Sequence, residues 1–125
     1  MNTVVNRKSL VNKKLIVKDG LKRLCVKVNF RVDDIAKLYT KAQTMLVKAE
    51  KDLKNEPTEE NMTKYGECAI ELFNVVFGKE QTQKLLKFFD GNSLEMLVCC
   101  FGFIADEVVP AFNENDVYTA MLNRK

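Results

Sequence analysis

The chain has no histidine and no tryptophan, and only two prolines and five glycines. Without imidazole, the Ser-His-Asp and Cys-His arrangements are excluded, as is every zinc site that needs a histidine ligand. The glycines form neither a GxxxxGK[ST] phosphate loop nor a GxGxxG turn. The four cysteines include no CxxC pair. Cys99 and Cys100 are adjacent, so on a helix they point about 100° apart and do not readily share an ion. No metal ion or other cofactor is therefore expected, and the thiols are read as small buried side chains. Cys99 and Cys100 fall in an apolar run that would raise their pKa. Cys25 alone has neighbouring cations, Arg23 and Lys27, that favour a thiolate. The carboxylate pairs Asp33-Asp34, Glu59-Glu60 and Asp106-Glu107 lack a recognisable acid/base partner, the first two standing where helix caps belong. The expectation is a protein that is not an enzyme.

A long apolar run is also missing. LEMLVCCFGFIADEVV, from Leu94 to Val109, is the least polar stretch, but only the ten residues Met96 to Ala105 are free of charge. A bilayer span needs about 20. Met1 is followed by polar and basic residues rather than an apolar leader. A cytoplasmic protein with free thiols and no membrane partner is expected.

Acids are scarce in the first quarter. Residues 1–31 hold nine Lys or Arg against Asp19 alone, a net of +8, while residues 32–125 carry −5. Such a basic segment suits nucleic acid, an acidic protein surface, or the acidic remainder of a sister subunit.

What is present reads as one domain over residues 13–125, behind a loosely held N-terminus over 1–12. At 125 residues a chain buries roughly two-thirds of its unfolded surface, enough to fold without a disulfide or metal. In KKLIVKDGLKRLCVKVNFRV, Leu24, Val26, Val28 and Phe30 alternate with Arg23, Cys25, Lys27, Asn29 and Arg31. This period of two predicts a β-hairpin over 14–30 with one apolar and one cationic face, turning at Asp19-Gly20 so that Leu15 lies opposite Leu24. Lys13, Lys14, Lys18 and Lys22 stand near the cationic face of Arg23, Lys27 and Arg31. A lone hairpin is marginal in water, so it must lie on helices or pair its edges with another chain.

Helices are predicted over about 33–55, 58–77, 79–89 and 93–112, with a short fifth over 116–123. In the first, Ile35, Leu38, Tyr39, Ala42, Met45, Leu46, Ala49 and Leu53 recur at helical spacing, with Asp33 or Asp34 as cap. Thr58 caps the second, which buries Met62, Tyr65, Ala69, Leu72, Phe73 and Val76 and ends at Gly78. Asp90-Gly91 closes the third, and Asn92 with Glu95 opens the fourth. The fourth is apolar nearly all round, which places it centrally; Gly102 reads as a close-packing position, and Pro110 should kink or end the helix. Val117, Tyr118, Met121 and Leu122 fall on one side of the fifth, where they meet either a partner or their own domain. The fold class is mainly α (α+β): an N-terminal β-hairpin followed by a four- to five-helix bundle.

The succession of a basic hairpin, FRVDDIAKLYTKA, PTEEN, VVFGKEQTQKLLKFFDG and SLEMLVCCFGFIADEV resembles the tail assembly chaperones of long-tailed phages of Gram-positive bacteria. The resemblance runs from Leu15 to Val109. It implies a small, mostly helical protein that binds the tape-measure protein and keeps it soluble in the bacterial host cytoplasm during tail assembly. It also implies a homo-oligomer, accompanied by a frameshifted longer version of the same chain. No catalytic residues come with that family, and a strongly basic first quarter is not part of its pattern. The alternative is a small nucleic-acid-binding protein working through Arg23, Lys27 and Arg31. Against it, no aromatic side chain is interleaved on that face for base stacking.

Overall fold

The computed structural model describes residues 10–112. Two antiparallel strands, β1 (Leu10–Asp19) and β2 (Lys22–Arg31), lead directly into four α-helices: α1 (Val32–Asn55), α2 (Glu59–Phe77), α3 (Lys79–Phe88) and α4 (Ser93–Phe103). A π-helical segment, Ile104–Val108, follows α4, and the helical path continues to Phe112. The fold is mainly α, an N-terminal hairpin against a helical bundle. The fifth helix expected over 116–123 lies outside the described residues.

The hairpin is longer than expected, with Leu10 to Asn12 already in the strand. Its turn also sits one residue further on. Asp19 pairs with Lys22, so the two loop residues are Gly20 and Leu21, and Leu15 lies opposite Val26 rather than Leu24. Gly20 takes φ 61° at the first loop position, and Leu21 is not in the positive-φ region. A turn that requires positive φ only at its first central residue accepts this pair. Moving the turn by one residue shifts the register by two, and an even shift leaves every side chain on its original face. Val11, Val26 and Val28 are therefore buried, with Leu15, Val17, Leu24 and Phe30 half-buried beside them. β2 lies across α1, α2 and α3, and β1 forms the outer edge.

Neither Asp33 nor Asp34 caps α1. The N-cap is Arg31, without a side-chain bond, and both aspartates lie in the first turn, where their charge suits the helix dipole. The linker does more than stop the chain. Thr58 Oγ1 accepts from Asn61 N at 3.1 Å, capping α2, while Asn61 Nδ2 donates to Asp52 O at 3.2 Å and Glu56 O at 2.9 Å. One asparagine thus binds carbonyls at the end of α1 from inside α2, and the two helices form a tight hairpin.

Gly78 ends α2 with φ 86°, but its ψ of 154° is extended rather than left-handed helical. The expected stop at Asp90-Gly91 is a double closure. Gly91 N donates to Leu86 O at 2.8 Å and Asp90 N to Lys87 O at 3.1 Å, with Asp90 at φ 55°. Asn92 Oδ1 accepts from Glu95 N at 3.0 Å to start α4.

The last helical stretch reaches Phe112, in keeping with the expected span of 93–112. Pro110 does not end it; the path passes through, and the backbone widens just before it, with Val109 N donating to Ile104 O. In a regular helix the Pro110 ring would press on the carbonyl of Asp106. Beyond the π segment, Phe112 stacks on Tyr39 of α1 at 4.0 Å between ring centroids and lies 5.8 Å from Phe30 of β2. That contact ties the C-terminal end of the described chain to α1 and to the end of β2.

Nor is α4 central. Met96, Leu97, Cys100 and Ile104 are buried, but Val98 is 76% and Phe101 54% exposed, and Gly102 faces open space. The close-packing glycine is Gly66 on α2, where an added Cβ would fall 2.5 Å from Ser93 Oγ and force that hydroxyl to rotate.

Candidate functional site

Two surfaces stand out, one on each hairpin. On α1 and α2 it is a groove of about 770 Å³ running along the seam between the helices. α1 supplies Leu38, Lys41, Ala42, Met45, Lys48, Ala49 and Asp52, and α2 supplies Lys64, Glu67, Cys68, Glu71 and Val75. On each helix these residues are spaced by three or four, so each row is a stripe along one side of its helix. Ala42 and Ala49 are buried in the floor, whereas Leu38 is 58% and Met45 50% exposed. Both belong to the apolar positions that recur at helical spacing along α1. The apolar arc of α1 is wider than α2 and the sheet cover together: Tyr39, Leu46 and Val32 meet the core, and Leu38 and Met45 are left on the groove side.

The rim carries both signs, Lys41, Lys48 and Lys64 against Asp52, Glu67 and Glu71. Deeper chemistry is absent from its lining. The Cys68 thiol is pushed up by burial and then by the charges of Glu67 and Glu71, which disfavours the nucleophilic thiolate. Away from the groove, Tyr65 Oη donates to Glu50 Oε2 at 3.3 Å and ties α2 to α1; burial first, and then the Glu50 charge, raise its pKa.

The second surface is the outer face of the strand hairpin. The register sets Lys14 directly opposite Lys27, and Lys18 opposite Arg23, with Arg31 opposite Leu10 at the far end. All five cations are exposed. Arg23, Lys27 and Arg31 are thus on one face as expected, and Lys14 and Lys18 join them. Lys13 does not. It alternates onto the inner side, opposite Val28, and its Nζ reaches Glu107 Oε2 of the π segment at 3.4 Å. Cys25 lies among the outer cations, exposed and opposite Ile16.

The remaining thiols divide. Cys99 is exposed, contrary to the expectation of buried thiols, while Cys100 is buried and its pKa is pushed up to about 11 by that burial and then by Cys99. Among the described residues no three His, Cys, Asp or Glu gather as a metal site would need. No helix of the described residues is long and apolar enough to cross a membrane. The stripe of Val117, Tyr118, Met121 and Leu122 lies outside the described residues.

Leu38 and Met45 were not singled out by sequence as surface residues. The available signal was the width of the α1 stripe, in which Leu38-Met45 and Tyr39-Leu46 form two parallel seams seven residues apart in repeat. The exposed side of α4 had no such signal, because an all-apolar helix does not reveal which side is covered. The chain matches no family model, and neither curated proteins nor solved structures provide a match.

Proposed function

We propose that this protein is a non-enzymatic phage tail assembly chaperone that takes amphipathic helices of the tape-measure protein into the α1–α2 groove and keeps that protein soluble. The observation that carries the reading is the groove itself. It extends from Leu38 to Asp52, which is about 21 Å along α1, room for roughly four turns of a guest helix. A guest with apolar residues at i, i+3, i+4 and i+7 would set them against Leu38, Ala42, Met45 and Val75. Met45 adapts its shape to different guests, which suits a protein that must hold many successive helical turns of one long partner. The mixed rim would meet either sign of charge along the guest's flanks.

The family pattern supports the same assignment, and with it the host cytoplasm as the place of action and a frameshifted longer version as companion. Self-association belongs to the proposal too. The exposed apolar side of α4, with Val98 and Phe101, is one surface available for it, and the stripe of Val117, Tyr118, Met121 and Leu122 expected from the sequence is another.

The test is co-expression with the long helical protein encoded beside this chain. The partner is expected to move into the soluble fraction and co-purify, and the double change Leu38→Glu with Met45→Glu to abolish both. Because both side chains are exposed, the variant should keep its fold within about 0.5 kcal/mol. Undiminished solubilisation by the folded variant would sink the groove as the holding site, and no co-purification with the unaltered chain would sink the chaperone reading.

A further inference from the structure

We propose that the outer face of the β1–β2 ribbon binds the phosphate backbone of duplex DNA. This site is separate from the α1–α2 groove and does not depend on what the groove holds.

The register is the starting point. In an antiparallel pair, like charges directly opposite each other oppose strand pairing. This ribbon places two such pairs on one face, Lys14 with Lys27 and Lys18 with Arg23, on either side of Ile16 and Cys25, and adds Arg31. Folding gains nothing from that arrangement, and departures of this kind from local sense concentrate at functional surfaces. Among the described residues none of the five cations has an acidic partner. The ion pairs are Lys13 with Glu107, from the inner side, and three within helices: Lys54–Glu50, Lys64–Glu60 and Lys84–Glu80. Asp19, the only acid in the hairpin, alternates onto the inner side.

Geometry selects the kind of anion. Along the strand, Arg23, Lys27 and Arg31 repeat every four residues, about 13.5 Å apart, and the two rows lie about 4.8 Å from each other. That is a narrow, regular double row of positive charge about 27 Å long. A two-stranded ribbon of this width enters the major groove of B-DNA, about 12 Å across. The outer face holds Leu10, Asn12, Ile16, Cys25 and Asn29 besides the cations, and no aromatic ring on which an unpaired base could stack. This disfavours single strands.

The experiment is titration of the full chain with a 20-base-pair duplex of arbitrary sequence, followed by fluorescence anisotropy between 50 and 200 mM salt. Five phosphate contacts predict a slope of log affinity against log salt near −4.5, about a 500-fold loss over that range. Replacing two cations in Arg23→Thr with Lys27→Thr should bring the slope to about −2.7. The same variant should melt at a higher temperature than the parent, since it removes one partner from each like-charge pair, so lost binding cannot be assigned to unfolding. Loss of binding in the Leu38→Glu, Met45→Glu variant would contradict the separation of the two sites. Three further results would overturn the proposal: no binding at 50 mM salt, a slope unchanged in the Thr variant, or equal affinity for polyglutamate, which would make the face a site for acidic protein.

Discussion

The strand hairpin β1–β2 and the helix hairpin α1–α2 each bury one side and turn the other to solvent, yet they distribute charge differently. On the ribbon, alternation collects every residue of one parity on a single face, and at that parity the sequence has cations and no acids. On the helices a lysine stands one turn from a glutamate, as in Glu50–Lys54 and Glu60–Lys64, so charges of opposite sign interleave. The helical side could therefore leave apolar Leu38 and Met45 between its charges, whereas the ribbon's outer side is dominated by one sign. A period of two segregates charge that a period of 3.6 would mix. The difference explains how one small chain can carry a mixed-charge groove on one hairpin and a cationic face on the other.

Four substitutions, in three tests, break or sharpen this contrast. The largest effect is expected where the two hairpins share a core. Phe73 on α2 is fully buried, in the same cluster as Val26 and Val28 of β2. Phe73→Ala should cost about 3–5 kcal/mol. Urea unfolding followed by both far-ultraviolet dichroism and tyrosine fluorescence should still show one transition; two separated transitions would mean that the hairpins are independent units.

A smaller cost, confined to the ribbon, is expected at its turn. Gly20 holds φ 61° with nothing within 4 Å of an added Cβ, so Gly20→Ala meets no clash and suffers only from its backbone conformation. About 1–2 kcal/mol of destabilisation is expected. A neutral or stabilising result in the same urea titration would place the turn elsewhere than at Gly20-Leu21.

The finest test applies one exchange to both hairpins. Lys27→Thr removes a like-charge neighbour from a strand and supplies a β-branched residue, and should stabilise by about 0.2–1 kcal/mol at low salt. Lys48→Thr, exposed on α1, replaces a good helix former with a poor one and should destabilise by about 0.5 kcal/mol. Opposite signs at 20 mM salt, with the Lys27 gain shrinking at 500 mM, are the expected outcome. Equal signs would remove the distinction.

Much of this was legible in the residues, for reasons that can be located. Period-two alternation from Arg23 to Arg31 identified both faces of β2, and the faces survived a misplaced turn because Asp19-Gly20 and Gly20-Leu21 differ by a register shift of two. Thr58, Asn92 and Asp90-Gly91 act locally, and their roles were readable for that reason. What escaped depends on which neighbours arrive. An apolar stripe as wide as that of α1 does not show which of its edges will be covered, so Leu38 and Met45 are indistinguishable there from Tyr39 and Leu46. An apolar helix such as α4 does not show that Val98 and Phe101 face outward. Gly66 and Gly102 look alike in sequence, and only the approach of Ser93 distinguishes them.

The π segment carries a consequence of its own. Its hydrogen bond from Val109 to Ile104 spans one residue more than an α-helical bond, so the chain there behaves as though a single residue had been spliced in. Each residue of helix corresponds to about 100° of rotation. Winding Ile104 to Val108 as ordinary helix with no residue removed would swing everything downstream by that angle and carry Phe112 away from Tyr39, whereas excising one position there would let the ladder close with Phe112 still on Tyr39. The phase of the last segment is thus encoded in a residue count, and this joint should absorb the loss of one residue that elsewhere in the helix would turn Phe112 off Tyr39.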